Sequence, residues 1–227
     1  MILDKPISVI TVCFNSEKDI ETTIKSVLSL NCYQLDYIII DGGSKDGTVE
    51  IIKKYENKLK YWISEPDKGI YDAMNKGWHQ ALNDSFVLFL GAGDVLVDMP
   101  KNESFNKADI IAGKVQIGNK FLFNPKTDIR LKLGNTLHHQ ALLIKKSLHP
   151  VAPFNLNYKT YADFDFNQRL VKSGHKILVD PGFKGYALEG GISTTFDKEQ
   201  ALAIVKSNFG WFYVFLAKIY YYFRHEI

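Results

Sequence analysis

Four apolar runs alternate with amphipathic segments between residues 7 and 90, and this alternation restricts the fold more than any other feature of the chain. Between the runs, apolar residues recur at helical spacing, as Ile20, Ile24 and Val27 do. Strands that alternate with helices predict a parallel sheet of right-handed crossover units, covered by helices on both faces. The predicted class is α/β, with a Rossmann-like, mostly parallel sheet flanked by helices. The apolar runs are ISVITVC (7–13), LDYIIID (35–41), YWIS (61–64) and FVLFL (86–90).

The composition excludes several classes of protein. The chain has 227 residues, 46% of them hydrophobic, so it can bury the core of one globular domain. Its 28 basic and 25 acidic residues lack the excess of positive charge expected of a dedicated nucleic-acid binder. Cys13 and Cys32 are too few for a disulfide framework, and the first residues do not resemble a signal peptide. No run reaches the roughly 18 apolar residues that span a bilayer, so we predict a cytoplasmic protein.

Polar residues and glycines follow each of the four apolar runs. The carboxyl ends of parallel strands share one edge of the sheet, and ligands bind at that edge. Each turn alone is compatible with a simple connection, in which glycine supplies a permissive backbone and Asp46 or Thr48 caps the next helix. All four on one edge predict a binding site. The turns are FNS (14–16), DGG (41–43), EPDKG (65–69) and GAGD (91–94).

Two of these turns carry an aspartate directly behind a strand. Asp94 follows a Gly-Ala-Gly turn and is suited to Mg²⁺, which uses one or two protein carboxylates together with substrate phosphates. The alternative is that Asp94 only caps the segment that follows it. Asp41 is expected one or two strands away, so it would contact a base or a ribose rather than the same metal.

The signals after Val95 are weaker. ADIIAG (108–113) and KFLF (120–123) indicate one or two loose antiparallel strands, and LHHQALLIKKSL (137–148) indicates a strand followed by a helix. YADFDFNQRLVKSGH (161–175) predicts a helix with an apolar face, and KILVDPG (176–182) predicts a short strand.

The C-terminal segment is rich in aromatic residues. Its apolar stretch from Trp211 to Phe223 has 13 residues, including one lysine, and is too short to span a membrane. Trp and Tyr favour the bilayer interface, and Lys218 and Arg224 could meet anionic headgroups. The alternative is a helix packed on the domain itself or on a second subunit of a homodimer.

Five segments together resemble the inverting nucleotide-sugar glycosyltransferases of family 2, whose fold is called GT-A. Four of them cover residues 7–94 with the spacing of that family. The resemblance implies a nucleotide-sugar-binding half at 1–98 and an acceptor-binding, catalytic half of the same domain at 99–200. Residues 201–227 would form a C-terminal aromatic helix. The segments are ISVITVCFN, YIIIDGGSKDGT, SEPDKGIYDAMNKG, FVLFLGAGD and YADFDFNQRL.

The resemblance also implies roles on the donor side. Asp41 would accept a hydrogen bond from the base. Asp94 would bind Mg²⁺ or Mn²⁺ as the retained aspartate of a DXD element, whose first acidic position is here occupied by Ala92. The residues implied to line the nucleotide site are Thr11, Cys13, Phe14, Asn15, Asp41, Asp67, Lys68, Asp72, Asn75 and Gly93.

On the acceptor side the resemblance implies that Asp163 is the catalytic base. In an inverting transfer, the base removes the proton of the acceptor hydroxyl as its oxygen attacks the anomeric carbon. The alternative for Asp163 is a carboxylate favoured only by the dipole at a helix N-terminus. His139, Asp165 and Ser193 are candidate contacts to donor or acceptor, and EGGIST (189–194) is either a closing loop or a simple turn.

The sequence therefore predicts a metal-dependent glycosyltransferase, with a UDP-sugar as the first candidate donor. The acceptor would be a glycan or a lipid-linked glycan of a bacterial surface polysaccharide, reached at the inner face of the plasma membrane. A nucleotidyltransferase would carry a basic, glycine-rich loop after its first strand, which CFNSEKDIE does not provide. A binding or scaffold protein with a degenerate site is a further alternative, which Ala92 favours and the retained Asp41, Asp94 and Asp163 oppose.

Overall fold

A computed structural model of the chain describes residues 5–30, 34–149, 151–189 and 196–224. Cys32, Ser193 and residues 190–194 of the predicted closing segment lie outside these ranges. Within the described ranges, nine strands form a single sheet in the order β3-β2-β1-β4-β8-β6-β9-β5, and β7 pairs with β6 off this path. The strands are β1 (Ile7–Cys13), β2 (Leu35–Asp41), β3 (Tyr61–Ser64), β4 (Phe86–Gly91), β5 (Val95–Asp98), β6 (Ile110–Ile117), β7 (Phe121–Phe123), β8 (Leu142–Lys145) and β9 (Ile177–Ala187).

Helices connect most of these strands, and two further helices end the described chain. Each of the apolar runs in the first half leads into one of the predicted amphipathic segments or, after β4, into β5. The helices are α1 (Ile20–Leu28), α2 (Thr48–Lys53), α3 (Ile70–Gln80), α4 (Asn102–Lys107), α5 (Arg130–Leu133), α6 (Ala162–Lys172), α7 (Lys198–Phe209) and α8 (Trp211–Arg224).

The first four strands form the parallel half of the sheet. β1 lies between β2 and β4, and its pairing sets Cys13 opposite Asp41. All seven residues of β1 are buried because helices cover both faces. α1 and α2 pack on one face through residues such as Ile24 and Ile52, and α3 and α6 pack on the other through Trp78 and Phe166. The predicted α/β class with flanking helices is confirmed.

The second half of the sheet is mixed. β8 runs antiparallel to β4 and β6, and β9 runs parallel to β6 but antiparallel to β5. The prediction of a short strand at KILVDPG was wrong in length, because β9 continues to Ala187. The strand passes through Pro181, which has no backbone N–H and cannot donate a ladder hydrogen bond. The pairing with β6 shifts register between Ala112 and Lys114, and this irregularity accommodates the proline.

The prediction of a helix after the strand in residues 137–148 was also wrong in length. Only single turns of 3₁₀-helix flank β8, at His139–Ala141 and Lys146–Leu148. The sheet runs without a break through both predicted halves of the domain, and their division by function stays a prediction.

The two C-terminal helices pack on α5 and α6 in a third apolar cluster. Tyr221 of α8 is buried, and its hydroxyl donates a hydrogen bond to the backbone oxygen of Leu133 at 2.6 Å. The predicted C-terminal helix is therefore anchored to the domain by one face. Across the described parts of the chain, no helix combines the length and the apolar character needed to cross a membrane.

A glycine lets α3 approach the central strand closely, and this contact can be tested. A β-carbon at Gly77 would lie 2.3 Å from Cγ2 of Ile10 in β1. We expect Gly77→Ala to lower the free energy of unfolding by about 1–3 kcal/mol through overpacking, although alanine is the better helix former. The measurement is urea denaturation followed by circular dichroism.

The matched control is His79→Ala on the exposed side of the same helix. We expect it to change the free energy of unfolding by less than about 0.5 kcal/mol. If Gly77→Ala were as stable as the unmodified protein, α3 would not pack on β1 in the way described.

Candidate active site

The carboxyl ends of β1, β2 and β4 meet at one edge of the sheet. Cys13 pairs with Asp41, and Val12 of the same strand pairs with Gly91, three residues before Asp94. The chain order 3-2-1-4 reverses direction between β1 and β4, and such switch points form the crevices in which α/β proteins bind ligands. The geometry places the two strand-end aspartates at the same crevice.

The Asp41 carboxylate organises the turn that follows β2. The residue is fully buried. One carboxylate oxygen accepts hydrogen bonds from the amides of Gly43 and Ser44, at 3.1 and 2.9 Å, and from the Ser64 hydroxyl at 2.6 Å. The Ser44 hydroxyl donates to the other oxygen. Contact with a base stays a prediction, and it would require Asp41 to exchange one of these local donors.

The residues at the end of β1 differ in what they present to the crevice. Thr11 is buried, and its hydroxyl bonds that of Tyr37 at 3.0 Å. Burial, assisted by the charge of Asp41, raises the pKa of the Cys13 thiol, which therefore stays protonated. Phe14 is 60% exposed directly after the strand. The Asn15 amide oxygen accepts a hydrogen bond from the Lys45 backbone at 2.9 Å, which ties the first turn to the second.

The turn after β3 closes over the turn after β2. A β-carbon at Gly42 would lie 2.5 Å from a carboxylate oxygen of Asp67, so a larger residue here would displace that carboxylate. The other Asp67 oxygen accepts the Gly69 amide at 2.8 Å, and Asp72 accepts the Lys68 amide at 3.0 Å. The Lys68 side chain is exposed. These residues form the wall of the crevice next to Phe14.

Asn75 does not reach this crevice. It is buried, its side-chain nitrogen donates to the backbone oxygen of Phe154 at 2.9 Å, and its side-chain oxygen accepts the Phe154 amide at 2.9 Å. Both hydrogen-bonding groups of Asn75 thus brace the segment before α6. Its predicted nucleotide contact has no support in this geometry.

Asp94 is almost fully buried, with 5% of its surface exposed. One carboxylate oxygen accepts the Gly91 amide at 2.7 Å and the other accepts the Leu188 amide at 3.1 Å. Burial raises the pKa of Asp94, and this effect outweighs the lowering by the nearby His139 imidazole and the backbone amides. Gly93 has a positive φ of 93°, and its amide donates to the Thr23 hydroxyl at 2.8 Å, which fixes the turn that carries Asp94.

Asp163 lies in the first turn of α6 and receives donors from two other parts of the chain. The Tyr71 hydroxyl donates to one carboxylate oxygen at 3.0 Å, and the Asn135 side-chain nitrogen donates to the other at 3.0 Å. Burial raises the pKa of Asp163, but the His139 imidazole and the Tyr71 hydroxyl together bring it below its usual value. The carboxylate is thereby held ionised, with 16% of the side chain exposed.

The segment from His138 to Gln140 lies between the two aspartates. Nδ1 of His139 is 3.9 Å from the Asp163 carboxylate, too far for a hydrogen bond, and is buried without a partner among the described residues. The same imidazole is close enough to Asp94 to lower the pKa of that carboxyl. Nδ1 of His138 bonds the Gln140 side chain, and burial lowers the pKa of His138 to about 4, so that this ring is neutral at pH 7.

Asp165 faces away from the crevice. Two residues along a helix differ by about 200° around its axis, so Asp163 and Asp165 cannot present to the same side. The Asp165 carboxylate instead accepts the Arg169 guanidinium at 2.9 Å and the Asn208 side chain of α7 at 3.1 Å. These bonds join α6 to α7, and the geometry gives Asp165 no contact with the crevice.

Sequence reasoning missed two residues of this site, Tyr71 and Asn135, which both donate to Asp163. Tyr71 stands in GIYDAMNKG, where the helical pattern draws attention to the apolar positions instead. Asn135 lies in a short connection after α5, and its partner Asp163 is 28 residues away. An asparagine beside a glycine, in GNT, was the available signal, but that pattern is also typical of an ordinary turn.

Two residues with unusual backbone conformations border the crevice. Within the described ranges, the non-glycine residues with positive φ are Asn15, at 47°, and Tyr161, at 64°. Asn15 follows Phe14, and Tyr161 precedes Asp163 by two positions. Such conformations persist where the surrounding structure holds them, and they often occur at functional sites.

Comparisons with solved structures identify the class of this fold. The structure is similar to that of TarS from S. aureus, solved in complex with UDP-GlcNAc, with a TM-score of 0.68 and 19% identity over 89% of this chain and 66% of that one. It is also similar to the mannosyltransferase PcManGT from Pyrobaculum calidifontis, solved with GDP-Man and Mn²⁺, with a TM-score of 0.60 and 13% identity over 82% and 58% of the two chains. At these identities the likeness defines the fold, which is that of a GT-A glycosyltransferase. The chain spans less than two thirds of either structure.

The sequence comparisons identify the family. Residues 8–99 match the model of glycosyl transferase family 2. A PGL/p-HBAD biosynthesis glycosyltransferase of Mycobacterium bovis is 29% identical over 212 residues, which cover 85% of this chain and 81% of that protein. Residues 8–99 therefore match the family 2 glycosyltransferases, and the resemblance noted in the sequence is confirmed for that part of the chain.

The hydrogen bond from Tyr71 to Asp163 can be tested without an assay for turnover. The pKa of Asp163 is below its usual value of about 3.9, so its contacts stabilise the fold above that pH and lose this effect as the pH falls through the lower, folded-state pKa. We expect Tyr71→Phe to reduce the free energy of unfolding by about 1.5–3 kcal/mol at pH 7. Urea denaturation should show a smaller deficit at pH values below 4.

A matched aromatic change is available at Tyr158, which is partly buried in the segment before α6. Tyr158→Phe should alter stability by less than about 0.5 kcal/mol at either pH. A deficit for Tyr71→Phe that does not depend on pH would show that its hydroxyl does not stabilise an ionised Asp163.

Proposed function

We propose that this protein transfers a sugar from a nucleotide-sugar donor to a glycan acceptor with inversion at the anomeric carbon. The observation that carries the proposal is the convergence of Asp94 and Asp163 on one crevice, with the His139 imidazole beside both. One carboxylate is buried at the donor edge of the sheet, and the other is held ionised by hydrogen-bond donors. Such a pair suits a transfer in which the leaving group departs beside Asp94 and the nucleophile is activated beside Asp163.

The donor side offers an exposed aromatic ring and an exposed lysine at the switch point. Phe14 is largely exposed and can stack on a base, and the exposed Lys68 can meet a diphosphate. A UDP-sugar is the first candidate donor. TarS, with a similar fold, has been solved with UDP-GlcNAc, whereas the similar mannosyltransferase has been solved with GDP-Man, so the comparison of several nucleotides belongs to the test.

A divalent cation, Mg²⁺ or Mn²⁺, fits the surroundings of Asp94. The carboxylate is 5% exposed and, in the described part of the chain, has backbone amides but no lysine or arginine as a partner. No group of three potential metal ligands exists among the described residues, and Ala92 adds no second carboxylate. Asp94 would therefore hold the cation together with the donor's phosphates and water, as is common for Mg²⁺. When bound, such a cation offsets the charge that develops on the leaving diphosphate.

Asp163 is proposed to act as the general base. Tyr71 and Asn135 each donate to one of its oxygens, and each oxygen retains lone-pair capacity for the acceptor hydroxyl. Burial and the charge of Asp163 raise the pKa of Tyr71, so its hydroxyl remains a donor throughout. As the acceptor oxygen attacks the anomeric carbon, its proton passes to Asp163 and the nucleotide departs from the opposite face of the sugar. The buried, unpartnered Nδ1 of His139 is suited to a hydroxyl of the donor or the acceptor.

The acceptor is proposed to be a glycan, in free or lipid-linked form, of a bacterial surface polysaccharide. The reaction would then take place in the cytoplasm, at the inner face of the plasma membrane. A second candidate function is binding of a nucleotide sugar without transfer, which the substitution of Ala92 for the first DXD acid favours. The following two tests distinguish these functions.

The donor site is tested by thermal unfolding with UDP, GDP or dTDP, each with and without Mn²⁺. We expect one nucleotide to raise the melting temperature, and the increase to depend on the metal, because a ligand that binds only the folded state stabilises it. Asp94→Asn should abolish the metal-dependent part of the shift while Asp98→Asn, at an exposed position on β5, should leave it intact. Stabilisation that is independent of Mn²⁺ in the unmodified protein would remove the metal from the proposal.

The catalytic base is tested by Asp163→Asn. We expect turnover with a competent donor and acceptor to fall by about 10²–10⁴-fold, because the amide cannot take the acceptor's proton. The shift in melting temperature caused by the nucleotide should persist, since Asp163 lies on the acceptor side. Asp165→Asn is the control on the same helix, and turnover by this variant should fall much less wherever it remains folded. Unchanged turnover by Asp163→Asn would exclude Asp163 as the base, and an unmodified protein that binds nucleotide without turnover would favour the second candidate.

A further inference from the structure

α8 exposes a continuous stripe of large apolar side chains on its outer face. Exposed positions recur at helical spacing from Trp211 to Phe223, a distance of roughly 20 Å along the helix axis. Six large apolar residues on this stripe are between 41% and 69% exposed. They are Trp211, Phe212, Phe215, Ile219, Tyr222 and Phe223.

The packing of α8 on the domain does not account for this stripe. The opposite face already carries the contacts that anchor the helix, through the buried residues Val214, Ala217 and Tyr221. A surface helix normally pairs one apolar face with one polar face, whereas α8 is apolar on both. Contiguous exposed apolar surface of this kind marks an interaction site in a protein that is otherwise soluble.

The charges around the stripe indicate the kind of partner. Residues 200–224 contain the basic residues Lys206, Lys218 and Arg224 and no acidic residue. The Lys206 ammonium lies 4.2 Å from the ring centroid of Trp211, at the start of the stripe. Lys218 is exposed at one edge of the stripe, midway along the helix. Large aromatic residues flanked by lysines are typical of helices that lie in the headgroup region of an anionic bilayer.

The position of Lys218 disfavours a second copy of the chain as the partner. If two copies paired their stripes about a two-fold axis at the middle of α8, each Lys218 would lie beside the Lys218 of the other subunit at the edge of the contact. Like charges that meet across a protein interface are destabilising. At a bilayer the same side chain extends along the apolar surface and places its ammonium among the phosphates.

We infer that α8 binds the surface of an anionic lipid bilayer through this aromatic stripe, with its axis parallel to the membrane plane. The helix would bury Trp211, Phe212, Phe215 and their neighbours at the boundary between headgroups and acyl chains. Lys206 and Lys218 would contact the phosphates.

The same helix is close to the proposed catalytic base. A β-carbon at Gly134 would lie 3.2 Å from the ring of Tyr220, and the next residue, Asn135, donates to Asp163 at 3.0 Å. A membrane bound to the outer face of α8 would therefore lie one helix away from the acceptor side of the crevice. This consequence rests on the proposed function and would bring a lipid-linked acceptor within reach, whereas the binding of α8 to lipid does not depend on it.

The inference is tested by flotation of the purified protein with vesicles of phosphatidylcholine, alone or mixed with phosphatidylglycerol, at low salt. We expect binding to the mixed vesicles. Phe212→Ser combined with Phe215→Ser should lower the bound-to-free ratio by about tenfold or more. Lys206→Gln and Lys218→Gln should each lower it about fivefold on the mixed vesicles, and much less on phosphatidylcholine alone.

The control is Leu82→Ser combined with Val97→Ser, which removes two exposed apolar side chains from other surfaces. This variant should bind vesicles as the unmodified protein does. The inference is overturned if the unmodified protein does not float with the mixed vesicles, or if the phenylalanine variant floats equally well. Light scattering provides a separate outcome: a dimer that the phenylalanine substitutions dissociate, without vesicle binding, would identify a second copy as the partner.

Failure of this inference can be separated from failure of the proposed function. The phenylalanine substitutions lie on the surface, so the nucleotide-dependent rise in melting temperature should be the same in the variant and in the unmodified protein. A variant that no longer binds vesicles but still binds the nucleotide would support lipid binding by α8. A protein that binds nucleotide and never binds vesicles would retain the proposed reaction and exclude α8 as a membrane surface.

Discussion

The parallel pairing of β1 with β2 and β4 is the constraint on which the crevice depends. Because these strands run in the same direction and in fixed register, the turns after Cys13, Asp41 and Gly91 must open at the same edge. Helices bury both faces of these strands. The strand residues are therefore mostly apolar, and polar residues are confined to the strand ends. The crevice at the strand ends is thus a direct result of the topology.

The surroundings of Asp163 have a different origin, in side-chain contacts between distant segments. Tyr71 from α3 and Asn135 from the connection after α5 both donate to Asp163, while the segment around His139 separates it from Asp94. The two carboxyls have pKa values shifted in opposite directions by their surroundings: the pKa of Asp94 is raised and that of Asp163 is lowered. Pairs of carboxyls with divergent environments are typical of sites in which the two groups have separate chemical tasks.

The sequence was sufficient for the first half of the fold and insufficient for the second. Apolar runs and helical spacing are local signals, so β1 to β4 and the position of Asp41 and Asp94 at one edge could be predicted. The contacts of Asp163 could not, because Tyr71 is 92 residues from it along the chain and no periodicity relates them. The helical spacing between Asp163 and Asp165 did contain the information that only one of them can face the crevice. Asn75 shows a further limit, since a buried amide that braces Phe154 has the same residue type as one that binds a ligand.

The origin of the Asp163 contacts limits how this chain can be recombined with its relatives. A chimera joined after β5 would take Tyr71 from one parent and Asn135, His139 and Asp163 from the other. The exchanged halves would each retain their own strands, yet the carboxylate would meet a hydroxyl placed by a foreign helix. Specificity swaps in this fold are therefore expected to succeed when the crossover keeps α3 together with α6, and to lose the alignment of the Asp163 carboxylate when it does not.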